Sequence, residues 1–232
     1  ADIEGEVTSG SGRLIVAGSF DANAEERLQL RLSGENFTAV DIPEFNATVS
    51  PDLTLQLRGE QLRLRGEIAV PRARQDFVAD GEERDAEEET SGALALDSDV
   101  DVVLGQDVRL AGFGLKGKLD GRIGIRDRPG RATVARGGIQ VSGEYKAYGQ
   151  DLTITRGRLS YASTPLDNPA LDVRAEREID AVTVGVQVRG TAFAPELTLW
   201  SEPALDQAEQ LSYLVLGRPL RSASQADGAQ LS

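Results

Sequence analysis

The chain has 232 residues, 25 basic and 38 acidic side chains, and a formal net charge of −13. That balance argues against nucleic acid, whose binding rests on phosphate neutralisation by Lys and Arg. It argues equally against electrostatic docking on an anionic membrane surface, so any lipid contact has to be apolar. Cysteine and histidine are both absent, which removes disulfides and the usual Ser-His-Asp and Cys-His nucleophilic sites.

Strand-type alternation starts early. In "RLQLRL", Leu28, Leu30 and Leu32 share one side. In "LTLQLRGEQLRLRGEIAV", Leu53, Leu55 and Leu57 oppose Thr54, Gln56 and Arg58. After a turn at Gly59-Glu60-Gln61, Leu62, Leu64, Ile68 and Val70 oppose Arg63, Arg65 and Glu67. Period-two alternation of this kind predicts strands with one dry and one wet face. The acidic run "DGEERDAEEET", Asp80 to Thr90, reads as a solvated loop inserted between strands over 80–92.

"DSDVDVVLGQDV" offers Asp97, Asp99 and Asp101 in the D-x-D-x-D form of a calcium loop. The sixth position, which should be Gly, is Val102, and the twelfth, which should be Glu, is Val108. A strand with aspartates on its wet face fits better. "GFGLKG" matches G-x-G-x-x-G through Gly112, Gly114 and Gly117, but strand-like sequence follows where a dinucleotide site needs a helix. Parity slips near Gly112 and across Gly157 read as bulges or bends. "NFT" at Asn36 and "NAT" at Asn46 match glycosylation sequons, which matter only in a eukaryotic secretory route.

Further strands are expected around Ile139 and Val141, Leu152 and Ile154, and Val182, Val184, Val186 and Val188. Helical spacing is confined to the end. Asp206 reads as an N-cap with Glu209 three residues on; Ala208, Leu211, Leu214 and Val215 form a stripe, and Gly217 stands at the C′ position. The spacing predicts a helix over Gln207–Leu216, followed by a polar tail over 221–232. Residues 1–220 read as a single all-β unit that carries this one short helix.

No stretch approaches the eighteen consecutive apolar residues of a membrane span, and no signal-type segment opens the chain. A soluble protein, a mature form or an excised piece is expected. Paired carboxylates arise by chance among 38 acids, and there is a single tryptophan, Trp200, to serve as a sugar platform. No enzyme, metal or cofactor is expected.

The dry faces need cover. They can meet in a sandwich, close in a barrel, or line an open trough occupied by an apolar ligand. Each aliphatic side chain gains about 1.5–3 kcal/mol on full burial. An unfilled strip of a few hundred Å² marks a binding surface. The pattern alone leaves these solutions open.

Three stretches resemble the TamB family, once called DUF490, within the wider AsmA-like group: "GLKGKLDGRIGI", Gly114 to Ile125; "GGIQVSGEYKAYGQDLTITRGRLSYAS" with "NPALDVRAER", Gly137 to Arg177; and "VGVQVRGTAFAPELTLWSEPALDQAEQLSYLVLGRPL", Val184 to Leu220. "IAVPRA" and "LDSDVDVVLG" also fit, so the resemblance covers Leu53 to Leu220, and the first fifty residues match in style only. It implies an elongated, curved β-taco, a sheet folded lengthwise around an apolar groove, plus one short C-terminal helix. It implies a periplasmic envelope protein of Gram-negative bacteria, held in the inner membrane by an N-terminal helix absent here. It also implies that the full-length protein meets an outer-membrane assembly barrel of the TamA or BamA type through a C-terminal segment beyond "LGRPL".

On this reading phospholipid acyl chains lie against Leu28, Leu30, Leu32, Leu53, Leu55, Leu57, Leu62, Leu64, Ile68, Val70, Ile139, Val141, Leu152, Ile154, Val182, Val184, Val186 and Val188. The expected function is passage of phospholipid between the inner and outer membranes in support of outer-membrane biogenesis. Two alternatives remain: a chaperone-like holder of β-barrel precursors, and a passive scaffold with a closed core. The terminal helix either caps one end of the sheet or docks a partner.

Overall fold

The computed structural model describes residues 1–76, 95–147 and 149–220. The acidic insertion at 80–92 and the tail at 221–232 lie outside the described residues. Thirteen strands and one helix follow in order: β1 Asp2–Ser9, β2 Gly12–Phe20, β3 Glu26–Glu35, β4 Phe37–Ile42, β5 Phe45–Arg58, β6 Gln61–Asp76, β7 Ala95–Gly112, β8 Leu115–Asp127, β9 Val134–Ala147, β10 Gln150–Pro165, β11 Ala170–Ile179, β12 Val182–Thr191, β13 Ala194–Glu202 and α1 Gln207–Leu216.

All strands belong to a single open, curved sheet, and neighbours in sequence are neighbours in space. The exception is the short β4, which pairs with the first half of β5 while β3 pairs with the second half. The hairpins are antiparallel, as short turns require. The β5–β6 turn is the two residues Gly59-Glu60, with Gly59 at φ 61°. One pair, β6 with β7, is parallel. Parallel neighbours need a connection of a dozen or more residues, and eighteen, 77–94, separate these two strands in sequence.

The register explains the curvature. It shifts between Thr48 and Ser50 on β5, between Val70 and Arg72 on β6, between Leu104 and Val108 on β7, and between Ile154 and Arg158 on β10. Ser50 faces Ala69, Val70 faces Leu104, Leu104 faces Gly121, Gly121 faces Ile139, and Ile139 faces Leu159. These four irregularities therefore fall along one line across the strands, while three others, at Glu26/Leu28, Thr38/Val40 and Ala162/Thr164, lie off it. A bulge bends its strand, and bulges in line crease the sheet lengthwise. Pro71 sits on that crease, where a missing N–H costs no ladder bond, and Gly105 lies against its backbone.

Two of the expected irregularities separate here. The slip across Gly157 is a bulge on β10, beside the shift between Ile154 and Arg156. The slip near Gly112 is instead the β7–β8 hairpin turn, where Gly112, Phe113 and Gly114 all take positive φ. Gly117 continues in strand β8, so no helix follows the glycines and the geometry of a dinucleotide site is absent.

Gly121 has φ 138°, and a Cβ there would run into the carbonyl oxygen of Gly138 on β9. Gly121→Ala is therefore expected to destabilise by about 1–3 kcal/mol. The check is thermal unfolding, with Tm falling by roughly 2–4 °C for each kcal/mol. An unchanged Tm would mean that the crease tolerates a side chain.

Candidate functional site

Cross-strand partners place their side chains on the same face, so the register can be read as rows. One row runs Val16, Leu32, Leu53, Gly66, Val100, Ile125, Ala135. Another runs Val70, Leu104, Gly121, Ile139, Leu159, Leu171. At the far end Val173, Val188 and Leu197 align, as do Ala175, Val186 and Leu199. All eighteen expected residues stand on this face. Leu28, Leu30 and Leu32 sit opposite Leu57, Leu55 and Leu53, and Leu57 and Leu55 sit opposite Leu62 and Leu64. Ile68 and Val70 continue to Val102 and Leu104. Val141 pairs with Leu119, Leu152 with Tyr145, and Ile154 with Ala175. Val182 pairs with Ile179, Val184 with Ser201, and Val186 and Val188 with Leu199 and Leu197.

Burial divides the face into two zones. From β3 to β6 the leucines are half-buried, with Leu53 at 9% exposure the most covered. Neighbours shield them from the side. At the other end Leu152 and Val184 are 2% and 1% exposed and form a core with Ile154, Ala175 and Leu214. Leu214 belongs to α1, so the helix lies over this end of the apolar face, on β12 and β13.

The helix is held at both termini. Asp206 is its N-cap, and its carboxylate accepts from the Glu209 N–H at 2.9 Å. Gly217 closes the other end in the left-handed conformation, with φ 69°. No basic residue stands in the last turn of α1; Arg177 of β11 supplies the cation instead. Arg177 occupies an inward position opposite Val184, its guanidinium lies beside Gly217, and it donates to the Gln150 side-chain carbonyl. Gln150 in turn donates through Nε2 to the Val215 carbonyl at 3.3 Å. A cation at a helix C-terminus is favourable because the exposed carbonyls carry partial negative charge.

The opposite face is polar and organised by sign. Asp97, Asp99 and Asp101 on β7 stand between arginines of the flanking strands. Arg65 reaches Asp97 at 2.9 Å, Arg126 reaches Asp99 at 2.8 Å, and Arg128 also pairs with Asp97. Arg136 lies 3.8 Å from Asp99 and 3.9 Å from Asp101. The D-x-D-x-D run is thus a strand paired to arginines, and no cluster able to hold a metal occurs among the described residues. At the far end Arg174 stacks over Trp200, 3.4 Å from the ring centroid, and the indole covers Gly185. A hydrogen bond from Arg109, with Arg72 also close, holds the Asp107 carboxyl below the usual carboxylate range. Burial, with Asp167 nearby, pushes the Tyr161 phenol up; Tyr161 faces Gly137 on the apolar side.

Comparison with known proteins fits this geometry. The family model for the TamB C-terminal domain matches residues 3–232. The chain belongs to the TamB family. The Translocation and assembly module subunit TamB of Haemophilus influenzae is 30% identical over an aligned length of 254, covering 96% of this chain. The chain spans 19% of the length of that relative. The family match takes in the first fifty residues, which the sequence placed outside the resemblance. Their strands carry the same pattern, with Val16 and Leu14 on the apolar face opposite Leu32 and Gly34.

Reading the sequence placed Val100 and Val102 on the dry side of an aspartate-bearing strand but left them, with Leu104, out of the expected groove, which the register shows them to share. It missed Arg177 entirely, because an arginine within "LDVRAER" reads as another wet-face charge.

Arg177→Gln removes the cation from the helix terminus and is expected to loosen α1 by about 0.5–2 kcal/mol. Hydrogen exchange of the α1 amides should speed up while that of β3–β8 stays unchanged. Uniform acceleration, or none, would contradict the clamp.

Proposed function

We propose that this chain is a segment of an apolar conduit that carries phospholipid acyl chains across the periplasm. In this reading it moves them between the inner and outer membranes in support of outer-membrane biogenesis. The observation that carries this reading is the single aliphatic face, aligned row by row across twelve strands and left half-buried from β3 to β6. Eleven inter-strand steps of about 4.8 Å give a trough roughly 50 Å long. A chain of about sixteen carbons, at about 0.8 kcal/mol per methylene, needs on the order of 10 kcal/mol of replacement apolar surface along its way. Aliphatic rows of similar character at every strand supply that without a deep minimum where the lipid would stall.

The role is one of carriage, without catalytic chemistry. The full-length protein would be held in the inner membrane by an N-terminal helix and would engage an outer-membrane assembly barrel of the TamA or BamA type. No helix among the described residues is long and apolar enough to cross a membrane. The match to the TamB family supports placement in the Gram-negative envelope.

A second reading, a holder of β-barrel precursors, draws on the outer edges of β1 and β13, which have no strand partner among the described residues. An unfolded strand could pair there through its main chain. The module named for the Haemophilus relative is compatible with it.

Leu64→Arg places a charge in the middle of the open zone. Its cost to stability should be modest because Leu64 is only half-buried. Introduced into the full-length protein, it should abolish crosslinking of lipid to a photoreactive residue at position 55 and fail to complement a deletion strain. A variant that still crosslinks lipid and still complements would sink the conduit. Mass spectrometry of lipid extracted from the purified chain separates the readings: co-purified phospholipid favours the conduit, bound unfolded strand the holder.

A further inference from the structure

We propose that the cleft between α1 and the inner face of β12 and β13 is a terminal berth for one linear acyl chain. This rests on the conduit reading and assigns a specific position within it. The cleft has a volume of roughly 740 Å³, within the range of small-ligand sites. Val186, Leu197 and Leu199 form its floor, and Leu211 and Leu214 form its helical wall.

Two leucines one turn apart on α1 behave differently. Leu214 is 6% exposed and committed to the core with Leu152 and Val184. Leu211, three residues earlier on the same side of the helix, borders the cleft and is 49% exposed; Leu197 across from it is 64% exposed. Large aliphatic groups on two facing elements thus border a space that neither fills. A void between them forfeits contact on both sides, and an apolar chain laid there restores it.

The cleft is held from closing. At one end of α1, Arg177 and Gln150 clamp the last turn to β10 and β11. At the other, Gln210 donates to Ser201 Oγ at 3.2 Å and to the Leu205 carbonyl at 3.0 Å, while the Leu205 N–H donates to Ser201 Oγ at 2.9 Å. With both ends fixed, the helix does not settle onto Leu197, which stays exposed.

The lining chooses the ligand class. It carries no charged side chain and no aromatic ring, and its polar members are Thr198, Gln207 and Gln210. A charged headgroup has no counter-ion there and a planar ring has no stacking partner. A saturated or lightly unsaturated hydrocarbon tail fits, with its headgroup outside. The floor continues the rows of the trough, since Val186 and Val188 pair with Ala175 and Val173, so a tail can enter along the sheet.

The test uses the 232-residue chain and a fluorescent linear fatty acid as probe, displaced by unlabelled fatty acids of increasing length. Affinity should be saturable and rise about fourfold per methylene until the cleft is full, then level off. Leu197→Asp, which acts from the sheet and leaves α1 in place, and Leu211→Trp, which fills the space, should each weaken binding by at least about tenfold, the loss of two buried methylenes or more. Lys118→Gln, an exposed position on the polar face, should leave binding unchanged. Hydrogen exchange of the α1 amides verifies that the helix stays seated in Leu211→Trp; if it is unseated, Leu197→Asp alone decides. Saturable binding that is unchanged in the deciding variants overturns the berth and spares the conduit. No saturable binding by the parent chain overturns both.

Discussion

Hydrogen-bond register is the constraint on which this molecule rests. Pairing decides which side chains stand abreast, and a slip of one residue would turn every leucine of a strand to the opposite face. Here the register is kept from β1 to β13, through both antiparallel and parallel pairs, so that along most of the face an aliphatic residue on one strand meets an aliphatic residue or a glycine on the next, with Ser98, Tyr145, Arg177 and Ser201 among the exceptions. Where bulges interrupt it on β5, β6, β7 and mid-β10, they do so in line. The same device that maintains the apolar face therefore also folds it.

The two faces solve different problems. The polar face carries alternating charge across β6, β7 and β8, with the aspartates of β7 shared among arginines on both sides. Exposed pairs of this kind contribute little individually, but the alternation of sign disfavours neighbouring strands in a shifted register. The apolar face has no such internal satisfaction. Its burial is uneven: Val100, Val108, Ile123 and Ala135 in the middle and the residues beneath α1 are buried, while most of the leucines of β3 to β6 stay half-buried and gain by contact with hydrocarbon.

The helix gives the trough a direction. A ten-residue helix is marginal by itself in water, and this one depends on Leu214 in the core, on Asp206 and Gly217 at its ends, and on an arginine lent by the sheet. Among the described residues Arg177 is the charged group the sheet turns inward at this point, and its position explains why: it faces helix carbonyls, not hydrocarbon. One end of the apolar face is thus built like an ordinary protein interior, and the other is not.

Much of this was legible in the residues. Alternation marked the strands and their dry faces because a pleated chain has a side-chain period of two whatever its partners, and all eighteen expected residues share the face. The helix could be placed from Asp206 to Gly217 because capping is local chemistry. What the residues could not fix was which strand lies beside which: the parallel pairing of β6 with β7, the split of β5 between β3 and β4, the turn at Gly112 in place of a bulge, and the inward turn of Arg177. Those depend on hydrogen bonds between segments far apart in the chain. The choice of an open trough over a sandwich was likewise made by the tertiary structure, because burial of an apolar face depends on what stands across from it, and no single strand carries that information.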